Sequence, residues 1–349
     1  MLILSRKIGG ESPLFFTYNS ENNGFHKNFK NINYFSSGRN AILEIIKNKK
    51  ITHLFIPSYY CYPVLSILNQ IKNLKISNYK NHNQLLNKIN NENQSQKKLI
   101  LFVLFNGMHC SLHEYLNIIN KKNKSFYTLL DAAMTPNLIS IDSSFDYTIT
   151  DPRKFYGLSI GAFLYSEKNQ KVKKNYSLNP LFSLNYLLTK YLAKLLLSSR
   201  IEILEKLGLK INNYSELNVP KKLDILSLLL IKNYNFSDLS KIKIYQHNLY
   251  YDFLKPIKNK FFFKTKSSNN DCPFGFIILS EHRDELNNYL MKNRIFPSKL
   301  WVIPNEFKNI IDSETISKSK ELLVLPIGPQ YNYFDIKKVS EKVLSFFIK

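Results

Sequence analysis

The chain has 349 residues, 44% of them hydrophobic and 14% aromatic, enough apolar side chain for one large and one small core. Its formal net charge of +23 is almost all lysine, since arginine stands only at positions 6, 39, 153, 200, 283 and 294; no basic stripe or reading motif of a nucleic-acid binder accompanies it. Collagen-like, disordered and disulfide-rich classes are excluded, and the three scattered cysteines Cys61, Cys110 and Cys272 outline neither a disulfide framework nor a zinc site and suit a reducing cytoplasm.

Residues 35–46 place a polar turn, Ser36-Ser37-Gly38-Arg39-Asn40, before apolar residues at helical spacing. This pattern predicts a helix capped by Ser37 or Ser36, with its first free amides facing outward. Strands are expected at 53–57 and 74–79, separated by a helix at 64–72. Residues 81–98 are polar and rich in asparagine, which predicts a short helix among loops. The continuous apolar run 99–105 reads as a buried strand, followed by another at 126–131 and by shorter ones at 148–150 and 162–166. Such alternation predicts an α/β fold with a mostly parallel sheet flanked by helices.

Helices are expected from 181 to about 254. Within them, 181–198 is interrupted by Asn185, Lys190 and Lys194, so it reads as an amphipathic helix and not as a membrane span, which needs ~20 apolar residues in a row. Runs at 261–266 and 274–279 mark a smaller α+β unit, with the boundary drawn at 235/236: a large domain with an N-terminal arm over 1–235 and a small one over 236–349. Met1 to Leu4 is too short a run for a secretory core. His109 and His113 are four apart but no third ligand follows at a persuasive spacing, so no metal site is expected. Trp301 is expected to pack, although it could meet a substrate ring.

The most informative stretch is 145–165, where Lys154 lies between two short strand-like runs and is followed by Gly157 and Gly161. A lysine acts as an amine nucleophile when its neighbours hold it beside a carbonyl, and pyridoxal phosphate (PLP) is the commonest carbonyl kept that way. PLP also needs a carboxylate at its ring nitrogen and a cradle for its phosphate. Asp131 ends a strand and precedes Ala132 and Ala133, small enough for a flat ring to come close; the same pattern suits an ordinary turn cap. The cradle is offered by the 36–40 turn, with Gly38 permitting close approach and Arg39 adding a charged fork; it also suits an ordinary capped helix with a solvated arginine.

Taken in order, these segments resemble the DegT/DnrJ-type sugar aminotransferases, a branch of the fold-type I PLP enzymes. The resemblance spans nearly the whole chain, from Ile8-Gly9-Gly10-Glu11 through Ser37–Ile42, residues 56–64, 101–107, Asp131-Ala132-Ala133 and Arg153-Lys154-Phe155 to 283–290 and 323–339. It implies that Lys154 holds the cofactor aldehyde and shuttles a proton, while Asp131 faces the pyridine nitrogen. Ser37, Gly38, Arg39 and Asn40 would bind the phosphate, with Thr150 as auxiliary; Tyr59, Tyr60 or Cys61 would cover the ring, and Asn106 would line the pocket. It further implies glutamate as amino donor, a keto-sugar nucleotide as acceptor in cell-surface polysaccharide synthesis, a cytoplasmic homodimer, and no stable membrane insertion. Met134 and Asp151 stand where the family usually carries His or Gln and Ser, which keeps open a catalytically degenerate binding or scaffold protein.

Overall fold

The structure is a computed structural model that describes residues 8–9, 31–91, 96–109, 112–120, 126–135, 144–156, 161–166, 176–177, 181, 184, 188, 223–232 and 236–348. Strand β1 (Ile8–Gly9) pairs in parallel with Ile295–Phe296, and a side chain on Gly9 would fall 2.1 Å from the Phe296 carbonyl oxygen, so only glycine fits there. Then follow β2 (Asn31–Phe35), α1 (Gly38–Lys49), β3 (His53–Pro57), α2 (Tyr62–Leu68), β4 (Lys75–Tyr79), α3 (His82–Asn90), β5 (Lys98–Val103), α4 (Leu112–Asn120), β6 (Phe126–Asp131), β7 (Tyr147–Thr150), α5 (Arg153–Tyr156) and β8 (Ala162–Ser166).

Seven of these strands form one sheet in the order β2-β8-β7-β6-β5-β3-β4. The neighbours from β7 to β4 run parallel, whereas β8 is antiparallel to both β7 and β2. Alternation along the strands splits the sheet's side chains between two cores. Phe55, Ile100, Phe102, Leu130 and Phe163 pack under α3 and α4, while Leu54, Ile56, Leu101, Leu129 and Ile149 pack against α1 and α2. Because both faces are covered, β5 is buried at every position, and its apolar run is what the sequence shows. Burial contributes about 1.5–3 kcal/mol for each such aliphatic or phenyl side chain.

A short parallel pair, β9 (Tyr176–Ser177) and β10 (Leu223–Asp224), precedes α6 (Ile225–Lys232). The C-terminal unit comprises α7 (Phe236–Phe253), β11 (Phe276–Leu279), α8 (Arg283–Lys292), β12 (Ile295–Phe296), β13 (Ser298–Lys299), α9 (Ser313–Ser319), β14 (Leu322–Leu325) and α10 (Tyr333–Phe347). Its small antiparallel sheet has the order β11-β14-β13. Helix α7 runs from one core into another: Leu239 packs beneath the large sheet, while Tyr250, and Leu254 just past the helix end, belong to the cluster around Phe276 and Leu323. Helix α10 starts at a capping box, Asn332 accepting from the Asp335 amide at 3.0 Å and Asp335 from the Asn332 amide at 3.1 Å.

Several elements differ from the sequence expectation. Helix α2 ends at Leu68, four residues early, because the chain turns at Asn69 and reaches a left-handed Asn73 at φ 64°. The polar stretch after Tyr79 folds into nine-residue α3, capped by Asn81 onto the Gln84 amide and anchored by Leu85 and Ile89. Strand β5 stops at Val103, since Phe105–Gly107 form a 3-10 turn around a left-handed Asn106 at φ 57°. Residues 261–266 make no strand beyond a single bridge from Phe261 to Ile278. Most of the 181–198 stretch lies outside the described residues; Leu181, Leu184 and Leu188 are helical and exposed. No helix among the described residues is long and apolar enough to cross a membrane.

Candidate active site

Strands β2, β6 and β7 end on the same edge of the sheet, and each delivers part of the predicted constellation. After β2, Ser37 takes an extended conformation (φ −156°) and caps α1, its hydroxyl accepting from the Asn40 amide at 3.4 Å. Asn40 donates through Nδ2 to Ser36 Oγ at 2.8 Å, and the Ser36 carbonyl accepts from Gly161 N at 2.9 Å, fixing the turn to the strand after Lys154. A side chain at Gly38 would touch only Ile149, at 3.4 Å. The protein's own packing thus does not demand glycine there; its bareness leaves the helix N-terminus open to an anion, with the half-buried Arg39 next in line.

At the end of β6, both oxygens of Asp131 are held. Oδ1 accepts from the Ala133 amide at 2.9 Å and Oδ2 from the Tyr60 hydroxyl at 2.7 Å. Tyr60 has no exposed surface, and burial, then the Asp131 carboxylate, pushes its phenol well above the usual range, so it stays protonated and remains a donor. Next to it, Cys61 starts α2. Burial pushes its thiol up, the Lys154 ammonium pulls it down, Asp131 raises it and Arg39 lowers it. One thiol therefore senses the predicted lysine, aspartate and arginine together.

Past β7, Asp151 and Pro152 start a single helical turn, with Lys154 N donating to the Asp151 carbonyl at 3.2 Å and Phe155 N to Pro152 at 3.0 Å. Phe155 anchors this turn by inserting its buried ring edge-on to Phe274, 5.9 Å between centroids, while Lys154 is half-buried. Arg153 Nε lies 3.0 and 2.9 Å from the two oxygens of buried Asp151, so the negative charge beside the proposed phosphate site has its own cation. That pairing of neighbours two apart was readable in Asp151-Pro152-Arg153 and was missed.

Other predicted positions take different jobs. Tyr60 does not lie over an open ring site; it is buried against Asp131. Tyr59 donates to the Leu300 carbonyl at 2.9 Å and packs on Phe105 and Trp301, 5.3 and 5.6 Å between centroids. Cys61 and Tyr59 are both half-buried, and of the two Cys61 is the one whose thiol feels Lys154 and Asp131. Asn106 is wholly buried, its Nδ2 donating to the Gly275 carbonyl at 2.9 Å and its Oδ1 accepting from Gly275 N at 3.1 Å, which makes it a clasp between the large sheet and the C-terminal unit. Thr150 is buried on the face that carries Tyr165. Met134 packs with Ile277, Leu300, Leu322 and Val324 in the seam between the two units. His109 binds Asp271 through its backbone amide at 2.7 Å, and His113 is exposed beside Asn117.

The assembled groups fit PLP. A half-buried amine, a fixed carboxylate and a bare helix N-terminus with an arginine meet at the carboxyl edge of a parallel sheet, where open α/β folds take their ligands.

No protein-family model matches the sequence, and no curated protein matches it. Solved structures do. The chain is similar to a DegT DnrJ EryC1 StrS aminotransferase from Brucella abortus, with 14% identity over 92% of this chain and 87% of that one and a TM-score of 0.61. It is similar to DesV of S. venezuelae, solved in complex with a ketimine intermediate, at 13% identity over 91% and 85% of the chains and a TM-score of 0.62. It also resembles ntda from Bacillus subtilis with bound cofactor PMP, at 15% identity over 92% and 74% and a TM-score of 0.61. Likeness at this level of identity shows a shared fold, and the seven-stranded mixed sheet with its smaller antiparallel unit is that fold.

Proposed function

We propose that the chain is a PLP-dependent aminotransferase of the DegT/DnrJ type that moves an amino group from glutamate to the keto group of a nucleotide-linked sugar. The observation that carries this reading is that β2, β6 and β7 end on one edge of the sheet, where the capped turn of Ser37 to Arg39, Asp131 and Lys154 follow or close them. When bound, PLP supplies an aldehyde that a lysine captures and a ring that takes up the electron pair left when an α-proton departs. Lys154 would hold the aldehyde carbon and, once displaced by the amino donor, would move the proton between the donor's α-carbon and cofactor C4′. Asp131 presents a fixed acceptor to the pyridine nitrogen, and the first turn of α1, with Ser37, Gly38 and Arg39, holds the phosphate. Cys61 borders the ring, and Thr150, buried at the end of β7, acts indirectly by supporting that edge.

The catalytically degenerate scaffold reading loses one support, since the charge of Asp151 is matched by Arg153. The acceptor sugar, the glutamate donor and a homodimer with sites at the subunit interface complete the reading on the strength of the resemblance, and a cytoplasmic location and a division at 235/236 on the strength of the sequence. It is tested by reconstituting purified protein with PLP, reducing with borohydride and mapping the modified residue. Modification of Lys154, absent in Lys154→Ala, is the expected result; PLP that can be dialysed away unreduced and leaves Lys154 unmodified refutes it. A keto-sugar nucleotide panel with nitrogen-labelled glutamate then identifies the acceptor.

A further inference from the structure

We infer that Tyr60 is a positioning residue for Asp131, a task distinct from covering the cofactor ring and resting on the aminotransferase reading for its catalytic meaning. A carboxylate half-buried at the end of β6 has two oxygens and free rotation about its last bond; left to itself it would be able to turn, or to take a proton and become a donor. Two bonds remove both freedoms. The Ala133 amide fixes Oδ1 at 2.9 Å, and the Tyr60 phenol fixes Oδ2 at 2.7 Å.

The phenol is suited to this because it is a donor that cannot be lost. It is wholly buried, and burial together with Asp131 keeps it protonated far above neutral pH. The ionisable groups facing the pair are Cys61 and Tyr79, with Lys154 and Arg39 beyond Cys61. Tyr79 is itself spent on the Leu101 carbonyl at 2.7 Å. Tyr60 is also braced from the C-terminal unit, where Trp301 meets it edge-on with 6.0 Å between centroids.

Held this way, Asp131 would offer the pyridine nitrogen of a bound cofactor an oriented acceptor, and a ring protonated at that nitrogen withdraws electrons. Without the hydroxyl, the carboxylate loses a charge-assisted bond in a partly desolvated place and is free to turn away from the ring site. Tyr60 therefore fixes the orientation of the carboxylate that a bound cofactor would meet.

The experiment compares Tyr60→Phe with Tyr79→Phe, a second buried tyrosine on the same edge whose hydroxyl does not touch Asp131. In cofactor-free protein labelled with [4-13C]aspartate, the signal that Asp131→Asn removes is expected to shift in Tyr60→Phe. It should stay as in the parent in Tyr79→Phe, whose hydroxyl is bound to Leu101. With PLP added, Tyr60→Phe is expected to still be modified at Lys154 on reduction but to bind about tenfold more weakly. An unchanged Asp131 signal in Tyr60→Phe, or the same change in Tyr79→Phe, overturns the inference. Failure of the parent to take up PLP overturns the aminotransferase reading instead, and the labelled-aspartate comparison still decides the role of Tyr60.

Discussion

Replacing Lys243 by methionine should make this protein more stable at neutral pH, and the gain should fade as the pH rises. Lys243 lies on α7 with 5% of its surface exposed, its ammonium between the rings of Phe155 and Phe274 at 5.3 and 5.8 Å and donating to the Phe274 carbonyl at 3.2 Å. Burial pulls its pKa from the usual 10.5 down to about 8, with nearby Cys272 opposing. That gap of about 2.5 units corresponds to about 3 kcal/mol. Between pH 8 and 10.5 the unfolded chain binds the extra proton, so stability rises with pH across this window; below 8 both states are charged and the whole cost is present.

Methionine keeps the length of the chain and removes the charge, but forgoes the carbonyl contacts, worth about 1 kcal/mol. The variant should therefore exceed the parent by about 2 kcal/mol at pH 7, and the difference should fall by about 3 kcal/mol on approaching pH 10.5, following the 2.5-unit gap. Urea unfolding of both proteins at several pH values, buffered at constant ionic strength, measures this. A difference independent of pH, or a methionine variant less stable at pH 7, would refute the account of Lys243 as a desolvated cation.

Three further outcomes are expected. His247 is buried against Ser267, its Nδ1 2.8 Å from the hydroxyl, and burial pulls it from 6.5 to about 4; its share of stability is lost as the pH falls from 6.5 to 4, so His247→Gln should flatten the acid limb of the stability profile by up to about 3 kcal/mol. Gly107 sits at φ +71°, where a methyl group would lie 2.2 Å from the Cys272 carbonyl oxygen, so Gly107→Ala should lower the denaturant midpoint by an amount equivalent to about 2–4 kcal/mol. Arg39→Gln should move the pH at which thiol reagents modify Cys61 upward, since Arg39 is one of the cations that lower this thiol, and Cys61→Ser should abolish the reaction while leaving PLP fixed to Lys154.

Much of the scaffold was readable because both faces of the large sheet are covered. Leu99 to Val103 had to be apolar throughout, and Asp131 stood out as the acid closing the next strand. The capped turn of Ser37 and Asn40 was legible because its bonds are local. Helix α3 was obscured by asparagines, because only Leu85 and Ile89 face inward. Phe261, Phe262 and Phe263 marked the smaller unit and serve there as packing against Phe276 and Phe105. What a sequence pattern does not carry is which way a side chain turns. Tyr59, Tyr60 and Cys61 are adjacent in the chain, yet one binds Leu300, one binds Asp131 and one borders Lys154, and only tertiary contacts decide among them.

The clasp at Asn106 has a mechanical consequence. Asn106 and Gly107 are sewn to the segment before β11 by four hydrogen bonds: Gly107 O to Cys272 N, Asn106 O to Phe274 N, and the two amide bonds to Gly275. Any swing of the C-terminal unit away from the sheet must tear this stitching or pivot on it.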